Sequence, residues 1–550
     1  MSVHPTAGNR AARAVRAYGP TALLATLAGL VVMLALRVLF GLETPSEYYA
    51  DVVTRLIPVN LFSALLGVFG SGSKHYLFTS LVIGQGIVTL VALVALAARR
   101  NASSRGRADG IRARVTASAL YALPLWALLV IPFLLVGLVE EGATALAPAA
   151  VLGVLVAGLV PAASSGVVLE QLERTVAAAA TRQDAAPALA ASRRRILRQF
   201  GYGLIAVVGG VAAWRFIFQG IGSSGPISPV RSNLDLGNVP DRIVPPPVPS
   251  YTQWPLIKGQ TPEITRASDF YYVSKNFVSD PALDAGSWRL AVTGLVQSPL
   301  TLSYADLRAR PAVAQFQTLE CISNEVGGNL MSNARWTGTS LADLLTQAGI
   351  KAPADSVIFR CADGYSDRLH LAQALGPRAL IVYDINGERL PQAHGFPARL
   401  LVPGLYGMKN GKWLASLEVA SGSYDGYWEQ RGWTREATVK LTARIDVPGA
   451  EDVLPQRATV IAGVAFSGDQ GIAEVQVSTD SGRTWAAAAL RRPLAEQTWV
   501  LWELPWTPTV GTHVVAARAI DLLGRVQTAN DAPPLPDGAS GYHAVTVHVG

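Results

Sequence analysis

Long apolar runs fill the first 219 residues, whereas short apolar runs separated by polar turns fill the rest. Five runs, each of about 20 apolar residues, are typical of membrane-spanning helices. They cover residues 21–40, 76–98, 115–139, 145–169 and 200–218. A sixth run, residues 56–70, is shorter and contains Pro58 and Asn60, so we interpret it as an interfacial or re-entrant segment on the outer side. The pattern predicts an N-terminal α-helical transmembrane bundle over residues 1–219.

Basic residues are distributed unevenly among the loops between these runs. Fifteen arginines lie before the first run, between the second and third, and between the fourth and fifth, whereas the alternate loops hold only Arg55 and Lys74. Cytoplasmic loops carry the excess of basic residues, so we predict a cytoplasmic N-terminus and an extracytoplasmic location for everything after residue 218. Arg37 and Arg215 lie near the outer ends of their runs, where a long side chain is expected to reach the membrane interface.

The second half predicts a linker and two further domains. Residues 220–262 are rich in proline, glycine and serine, which is typical of an extended linker. Over residues 263–434, short apolar runs alternate with helical patterns, which predicts a mixed α+β domain. The predicted strands are 288–294, 357–361, 379–383, 399–402 and 413–419, and the predicted helices are 303–309, 340–348 and 371–375.

Residues 435–550 contain about seven short strand patterns separated by turns, without helical periodicity. The clearest are 438–445, 459–465, 473–478, 498–503, 511–521 and 543–549. This spacing predicts an immunoglobulin-like β-sandwich. The chain contains no cysteine in this region, so the sandwich would lack an intersheet disulfide.

Composition supports a membrane protein over a nucleic-acid-binding one. Half of the 550 residues are hydrophobic and 15% are charged, against about a quarter charged in a typical soluble domain. The first 219 residues carry 19 basic and 9 acidic side chains, and the remainder carries 27 and 30, so the basic excess belongs to the apolar part. Two cysteines exclude a disulfide-rich scaffold, a zinc ribbon and a cysteine-ligated iron–sulfur cluster. The runs contain no pair of histidines, so we predict no haem.

A short basic motif directly precedes the last apolar run. Residues 192–198 read SRRRILR, which is similar to a twin-arginine export signal with Ile196 and Arg198 in place of the usual Phe and Lys. An ordinary cytoplasmic basic cluster is the alternative interpretation. Export by this route would carry the following domain across the membrane already folded.

The two cysteines are the first candidates for chemistry. A thiol outside a disulfide or a CxxC motif is most often a small buried hydrophobic group, and we interpret Cys361 in this way. A Cys-His protease lacks its local signature here. Cys321 differs because of the motifs that surround it.

An ordered set of motifs resembles the sulfite oxidase family of molybdopterin-dependent enzymes. The pieces are FYYVSKN at 270–276, GLV at 294–296, PLTLS at 299–303, LEC at 319–321, NARWTG at 333–338, DGY at 363–365, HGFPAR at 394–399, VPG at 402–404 and the stretch 407–413. The tail resembles the dimerisation domain of that family, with GVA at 463–465, VQVSTD at 475–480, GRTW at 482–485 and RAID at 518–521. The resemblance covers about residues 265–550. The five spans, with an Arg-Arg motif before the last one, resemble a membrane-anchored bacterial subgroup of the family.

The resemblance implies a molybdenum–pterin dithiolene cofactor, with Cys321 as the ligand to the metal. Thiolates are the soft ligands that such a metal accepts, and a pterin phosphate is best held by arginine and lysine. The implied cofactor-binding residues are Asn276, Lys275, Cys321, His394, Arg399 and Lys412. The implied catalytic residues are Cys321, Arg335 and Tyr365. Lys409 is a further candidate for the cofactor, and Tyr406 is a further candidate for the pocket lining.

The function that follows from this resemblance is oxygen-atom transfer by an outward-facing enzyme anchored in the bacterial cytoplasmic membrane. Electrons would be exchanged with a separate cytochrome or quinone-linked carrier, and a homodimer is compatible with the tail. Family members carry basic residues after the ligand cysteine, whereas Glu325 stands there in this chain. A carboxylate near the metal would repel sulfite unless it points away or is paired. Sulfoxide reduction is an equal candidate. The alternative function is a cofactor-free binding or scaffold module on a membrane anchor.

Overall fold

The computed structural model describes residues 7–40, 44–56, 73–103, residue 168, residues 255–276 and residues 280–550. The described residues up to 168 belong to one unit, which is helical, and those from 255 onward belong to a second unit, which mixes strands and helices.

Three helices make up the described part of the first unit: α1 (Ala7–Phe40), α2 (Pro45–Leu56) and α3 (Ser73–Ser103). The predicted runs at 21–40 and 76–98 are therefore helical. Among the described residues, one helical stretch is long and apolar enough to cross a membrane, Leu77–Ala97, and a shorter apolar stretch is Tyr18–Leu34. The predicted spans at 115–139 and 200–218, and that at 145–169 apart from one residue, lie outside the described residues.

Arg37 at the end of α1 forms a buried ion pair. Its Nε lies 2.9 Å from Oε1 of Glu47 in α2, and the two side chains are 15% and 8% exposed. The other Glu47 oxygen accepts a 2.7 Å hydrogen bond from the backbone N–H of Thr44, just before α2 begins, where a carboxylate is favourable. Arg37 thus holds α2 against α1. The expectation that its side chain reaches the membrane interface stays a prediction. Arg215 lies outside the described residues.

The first part of the second unit contains two sheets. One has the strand order β2-β1-β10-β5-β6, in which only the β1–β10 pair is parallel, and the other has the order β3-β4-β7-β8 with β9 beside β7. The strands are β1 (Arg289–Gly294), β2 (Leu300–Ser303), β3 (Ala312–Glu320), β4 (Met331–Ser340), β5 (Ser356–Cys361), β6 (Ser366–His370), β7 (Leu380–Ile385), β8 (Glu388–Arg389), β9 (Arg399–Leu401) and β10 (Leu414–Ala420).

Short helices connect these strands, and local sequence explains where they begin. They are α4 (Tyr304–Ala309), α5 (Leu341–Ala348) and α6 (Leu371–Ala374). The Ser303 hydroxyl caps α4 by accepting from the Asp306 backbone N–H at 3.1 Å, while the Asp306 carboxylate accepts from the Ser303 backbone N–H. α5 ends at Gly349, whose φ of 72° favours glycine. Three single-turn 3-10 helices follow at Gln392–His394, Gly407–Lys409 and Glu429–Arg431.

The predicted strands and helices of this domain are confirmed to within a few residues. The two longest strands, β3 and β4, were not predicted. They read AVAQFQTLE and MSNARWTGTS and are almost wholly buried, including the polar side chains of Gln317 and Asn333. A strand buried on both faces loses the polar alternation that identifies a half-exposed strand.

The C-terminal part consists of nine strands in two sheets that share one hydrophobic core. The sheet orders are β11-β13-β17-β16 and β12-β19-β18-β14-β15, and the core includes Val475, Trp502 and Val515. The strands are β11 (Thr442–Val447), β12 (Val453–Leu454), β13 (Thr459–Phe466), β14 (Ile472–Ser478), β15 (Ala486–Ala487), β16 (Ala489–Leu490), β17 (Val500–Trp506), β18 (Gly511–Asp521) and β19 (His543–Val549). The expected sheet-rich domain is confirmed, and its immunoglobulin-like classification stays a prediction.

The C-terminal strands pack directly beneath the segment that carries Cys321. Ile322 shares a buried cluster with Phe466 and Trp499. The Trp499 backbone N–H donates to the Thr318 hydroxyl at 2.9 Å, and its indole N–H donates to the backbone oxygen of Glu263 at 2.9 Å. The end of β3 is therefore held from below by the second sheet domain.

Candidate active site

A cleft opens beside the end of β3, and Cys321 lines it. The cleft encloses about 810 Å³ of space including its open mouth. Four segments form most of its wall: the chain before residue 276, the turn after β3, the loops around β9, and the aromatic segment after β10. The residues that carry charge or can hydrogen-bond in the wall are Tyr271, Ser274, Lys275, Cys321, Ser323, Asp363, Tyr365, His394, Arg399, Asn410, Lys412, Trp413, Trp428 and Trp433.

Cys321 is held in a tight turn immediately after β3. Its backbone N–H donates to Leu330 O at 2.9 Å, and its carbonyl accepts from the backbone N–H of Asn324 at 2.9 Å. The Sγ atom lies 3.0 Å from the hydroxyl of Ser323. Burial raises the pKa of the thiol, so that loss of its proton requires a cationic partner. A metal ion supplies such a partner, because metal binding displaces the thiol proton.

Arg399 at the start of β9 is a buried cation without a carboxylate partner among the described residues. Its guanidinium donates only to backbone oxygens, those of His394 at 3.2 Å and Asn410 at 2.9 Å and more weakly its neighbour's, and it lies 5.4 Å from the ring centroid of Trp336. Burial lowers the pKa of Arg399 to about 10. A buried guanidinium without an anion is costly, so this position fits an anionic group of a bound molecule.

Two further side chains extend this cationic wall, and a histidine between them stays neutral. The Lys412 Nζ donates to the backbone oxygens of Val273 at 3.0 Å and Ala393 at 2.9 Å. Lys275 lies 5.1 Å from the ring centroid of Tyr427. Burial and the neighbouring Arg399 and Lys412 lower the pKa of His394 to about 4, so its imidazole is uncharged at neutral pH. The wall thus offers cations and a neutral imidazole, a set suited to a phosphate and a heterocycle.

Two of the implied site residues do not line the cleft. Arg335 lies in β4 next to Trp336, and successive side chains of a strand point to opposite faces. Because Trp336 contacts Arg399 at the cleft, Arg335 faces the other side of the sheet. Asn276 lies at the edge of the described segment, and its side-chain amide donates to Asp280 at 3.0 Å. The structure brings Lys275, Cys321, Tyr365, His394, Arg399 and Lys412 together.

The further candidates Lys409 and Tyr406 also lie outside the cleft wall. The ammonium of Lys409 is buried between two carboxylates, 2.6 Å from Asp367 Oδ1 and 2.6 Å from Glu429 Oε1. Tyr406 is buried, and its hydroxyl accepts from the backbone N–H of Lys440 at 3.2 Å. These contacts indicate that both side chains stabilise the fold around the cleft.

Tyr271, Trp428 and Trp433 line the cleft but were not among the predicted site residues. Tyr271 belongs to the FYYVSKN motif itself, so its position beside Lys275 was the available signal. Trp428 and Trp433 stack at a centroid distance of 4.4 Å after a loop whose path the sequence does not fix. The wall of the cleft is therefore aromatic as well as cationic.

The buried network behind the cleft gives a pH prediction. Burial raises the pKa of Asp367 to about 7, against an ordinary value near 3.8. Between about pH 4 and pH 7, the Asp367 carboxyl is therefore protonated in the folded protein and ionised in the unfolded chain. The contribution of Asp367 to the free energy of unfolding falls as the pH rises through that range. We expect the thermal midpoint of the second unit, followed by tryptophan fluorescence, to fall less steeply from pH 5 to pH 8 in Asp367→Asn than in the wild type.

The exposed Glu388 on β8 provides the control for this measurement. Glu388→Gln should keep the wild-type slope between pH 5 and pH 8. An Asp367→Asn protein with an unchanged slope would contradict the assignment of the buried proton to Asp367.

Comparison with known proteins agrees with this site. Residues 277–428 match the family model described as the oxidoreductase molybdopterin binding domain, and residues 437–548 match the Mo-co oxidoreductase dimerisation domain. The chain is 30% identical to chicken (Gallus gallus) sulfite oxidase over 315 residues, which cover 48% of this chain and 68% of the relative.

Other relatives share a smaller part of their length with the chain. Human (Homo sapiens) mitochondrial sulfite oxidase is 30% identical over 312 residues, which cover 48% of this chain and 57% of the relative. The NADH nitrate reductase of Ulva prolifera is 29% identical over 298 residues, 42% of this chain and 34% of the relative. The matched family models, the similarity to sulfite oxidases and the cationic cleft around Cys321 lead to one conclusion: this chain belongs to the sulfite oxidase family and is an oxidoreductase with a molybdenum–molybdopterin cofactor.

Proposed function

We propose that this protein is a membrane-anchored, outward-facing enzyme that transfers an oxygen atom to or from a small substrate and exchanges electrons with a separate respiratory carrier. The observation that carries the proposal is the cleft itself. There a buried cysteine lies among cationic side chains, and one of these cations, Arg399, has no carboxylate partner among the described residues. The apolar helix Leu77–Ala97 and the basic loops around the apolar runs support the membrane anchor.

The residues of the cleft wall divide into those for the cofactor and those for the substrate. Cys321 would ligate the metal, Arg399 and Lys412 would hold the anionic end of the pterin, and His394 would hydrogen-bond the pterin as a neutral imidazole. The cofactor, when bound, supplies two-electron oxygen-atom transfer. Lys275 also lines the cleft and is then the cation available to a substrate oxyanion.

The electrostatics of the cleft favour a small anion more than the sequence indicated. Glu325, whose negative charge was expected to repel sulfite, is an exposed side chain and does not belong to the cleft wall. The acidic residue that does line the cleft is Asp363, and the same wall carries three cationic side chains. Repulsion by Glu325 is therefore no argument against sulfite. The named activities of the relatives, sulfite oxidation and nitrate reduction, run in opposite directions, so the direction of this reaction needs measurement.

The decisive experiment uses the full chain purified in detergent from cells that synthesise molybdopterin. We expect one molybdenum and one pterin per chain, by metal analysis and by fluorescence of the oxidised pterin. Turnover is then measured in both directions, with sulfite and an artificial electron acceptor, and with dimethyl sulfoxide and an artificial donor. A folded preparation with neither the metal nor the pterin would favour the cofactor-free binding module instead.

Export of the folded domain gives a second test. A cofactor-loaded domain must cross the membrane after folding, and the arginine pair at 193–194 stands where a twin-arginine signal would be. In Arg193→Lys/Arg194→Lys we expect the second unit to remain in the cytoplasm, so that external protease no longer cleaves the 220–262 linker in spheroplasts.

The matched control for export is Arg99→Lys/Arg100→Lys, which changes an arginine pair in an earlier basic loop. This control should leave the linker open to external protease. Cleavage that persists in the 193–194 variant would show that the pair is an ordinary basic cluster.

A homodimer through the dimerisation domain is part of the same proposal and is supported by the matched family model.

A further inference from the structure

Tyr271 brings a phenol into the cleft, and none of the roles described above uses it. Its backbone N–H donates to the Ser332 hydroxyl at 3.0 Å, and its ring stacks on Phe270 at a centroid distance of 5.5 Å. Phe270 in turn packs edge-on against Trp336, 5.3 Å away between centroids. These contacts fix the ring, so the direction of its hydroxyl is determined by the fold.

The hydroxyl lies close to the segment that carries the thiol. A β-carbon added at Gly407 would lie 2.7 Å from the Tyr271 hydroxyl oxygen and 3.4 Å from the carbonyl oxygen of Glu320, the residue before Cys321. Tyr271, Gly407 and Cys321 all line the cleft. The missing side chain at Gly407 thus makes the room that the phenol occupies.

The hydroxyl has a hydrogen to donate and donates it to no acceptor among the described residues. Its electrostatic neighbours are the Cys321 thiol, the Arg399 guanidinium and the Glu320 carboxyl. Burial raises the pKa of the phenol far above 10, so the hydroxyl keeps its proton throughout the physiological range. A fixed, protonated donor that faces a cationic cleft is suited to an oxygen atom that gains negative charge.

We propose that Tyr271 is a further catalytic residue, whose hydroxyl donates a hydrogen bond to the oxygen atom that is transferred. The inference rests on the proposed function, because it requires an oxygen-atom-transfer reaction in this cleft. The phenol keeps its proton throughout. Its contribution is to stabilise charge on the oxygen, and it performs no acid–base step.

The test compares Tyr271→Phe with Tyr424→Phe in the cofactor-loaded full chain. Tyr424 is the matched control, because its hydroxyl donates to Ser366 Oγ at 2.7 Å outside the cleft wall. The measurements are molybdenum and pterin content, kcat and KM at pH 6 and pH 9 with whichever of sulfite and dimethyl sulfoxide the wild type converts, and calorimetric binding of inorganic sulfate to the oxidised enzyme.

For Tyr271→Phe we expect wild-type cofactor content, a kcat lowered about 10- to 100-fold by the same factor at both pH values, and sulfate affinity lowered about tenfold. Tyr424→Phe should match the wild type in all of these measurements. Wild-type kcat and sulfate affinity in Tyr271→Phe would overturn the proposal, and so would a defect that changes with pH, which would indicate proton transfer. If the wild type converts neither substrate, the proposed function is contradicted. The sulfate affinities of the wild type and Tyr271→Phe then still test whether the Tyr271 hydroxyl donates a hydrogen bond to an anion in the cleft.

Discussion

Cys321→Ser should abolish oxygen-atom transfer, while Cys361→Ser should leave it within about twofold of the wild type. Loss of a group that merely supports a metal ligand costs roughly 10–100-fold in affinity or activity, so loss of the ligand itself should cost more. We expect Cys321→Ser to keep the pterin, which Arg399 and Lys412 would hold independently of the sulfur, and to lose the thiolate-to-metal absorption band. The measurements are turnover, molybdenum and pterin content, and the visible spectrum.

Cys361 is a closely matched control, because it is about as buried as Cys321 but lies outside the cleft wall. Cys321 is 8% exposed and lines the cleft, whereas Cys361 is 5% exposed, ends β5 and lies outside the cleft wall. A serine at either position replaces a buried sulfur by a smaller polar atom, so both variants carry a similar packing cost. Retention of turnover and of the absorption band in Cys321→Ser, or equal loss in both variants, would contradict the assignment.

Most of the cleft could be predicted from the sequence because its residues belong to contiguous motifs. Lys275, His394, Arg399 and Lys412 each lie in a loop or at a strand end whose residues were recognisable together. Such motifs preserve local backbone geometry, and the two sheets bring the loops to one place. The structure therefore brings these predicted residues to one cleft, and their roles toward the cofactor stay a prediction.

The predictions failed where a position depends on strand register or on the path of a turn. Arg335 was expected at the metal, yet it lies on the opposite face of β4 from Trp336, and a shift of one residue reverses the face of a side chain. Glu325 follows Cys321 closely in sequence, but the turn after β3 exposes it to solvent. Neither the register of a strand buried on both faces nor the direction of a turn can be read from residue types alone.

Lys409 shows a different limit of sequence analysis. Its two carboxylate partners come from β6 and from the 3-10 helix Glu429–Arg431, and no local pattern joins these three segments. In the sequence, Lys409 lies three residues before the motif lysine Lys412, so it was taken as a further candidate for the cofactor. Packing instead buries it almost fully, and the surrounding charges give it a structural role.

Lys409→Met should be the most destabilising single change in this part of the chain. Removal of one partner from a buried ion pair typically costs about 3–5 kcal/mol, because the remaining charge stays buried without compensation. Here two carboxylates, Asp367 and Glu429, would lose the same cation. We expect the free energy of unfolding of the second unit to fall by about 3–5 kcal/mol at pH 8, measured by urea unfolding in detergent with tryptophan fluorescence.

The loss should be smaller at pH 5, because the raised pKa of Asp367 allows that carboxyl to take up a proton when its cation is absent. The control is Lys351→Met, an exposed lysine whose loss should change stability by no more than about 0.5 kcal/mol. Because Gly407 and Met408 line the cleft and directly precede Lys409, the variant should also lower cofactor content. A Lys409→Met protein as stable as Lys351→Met at pH 8 would show that the buried carboxyls share a proton and need no cation.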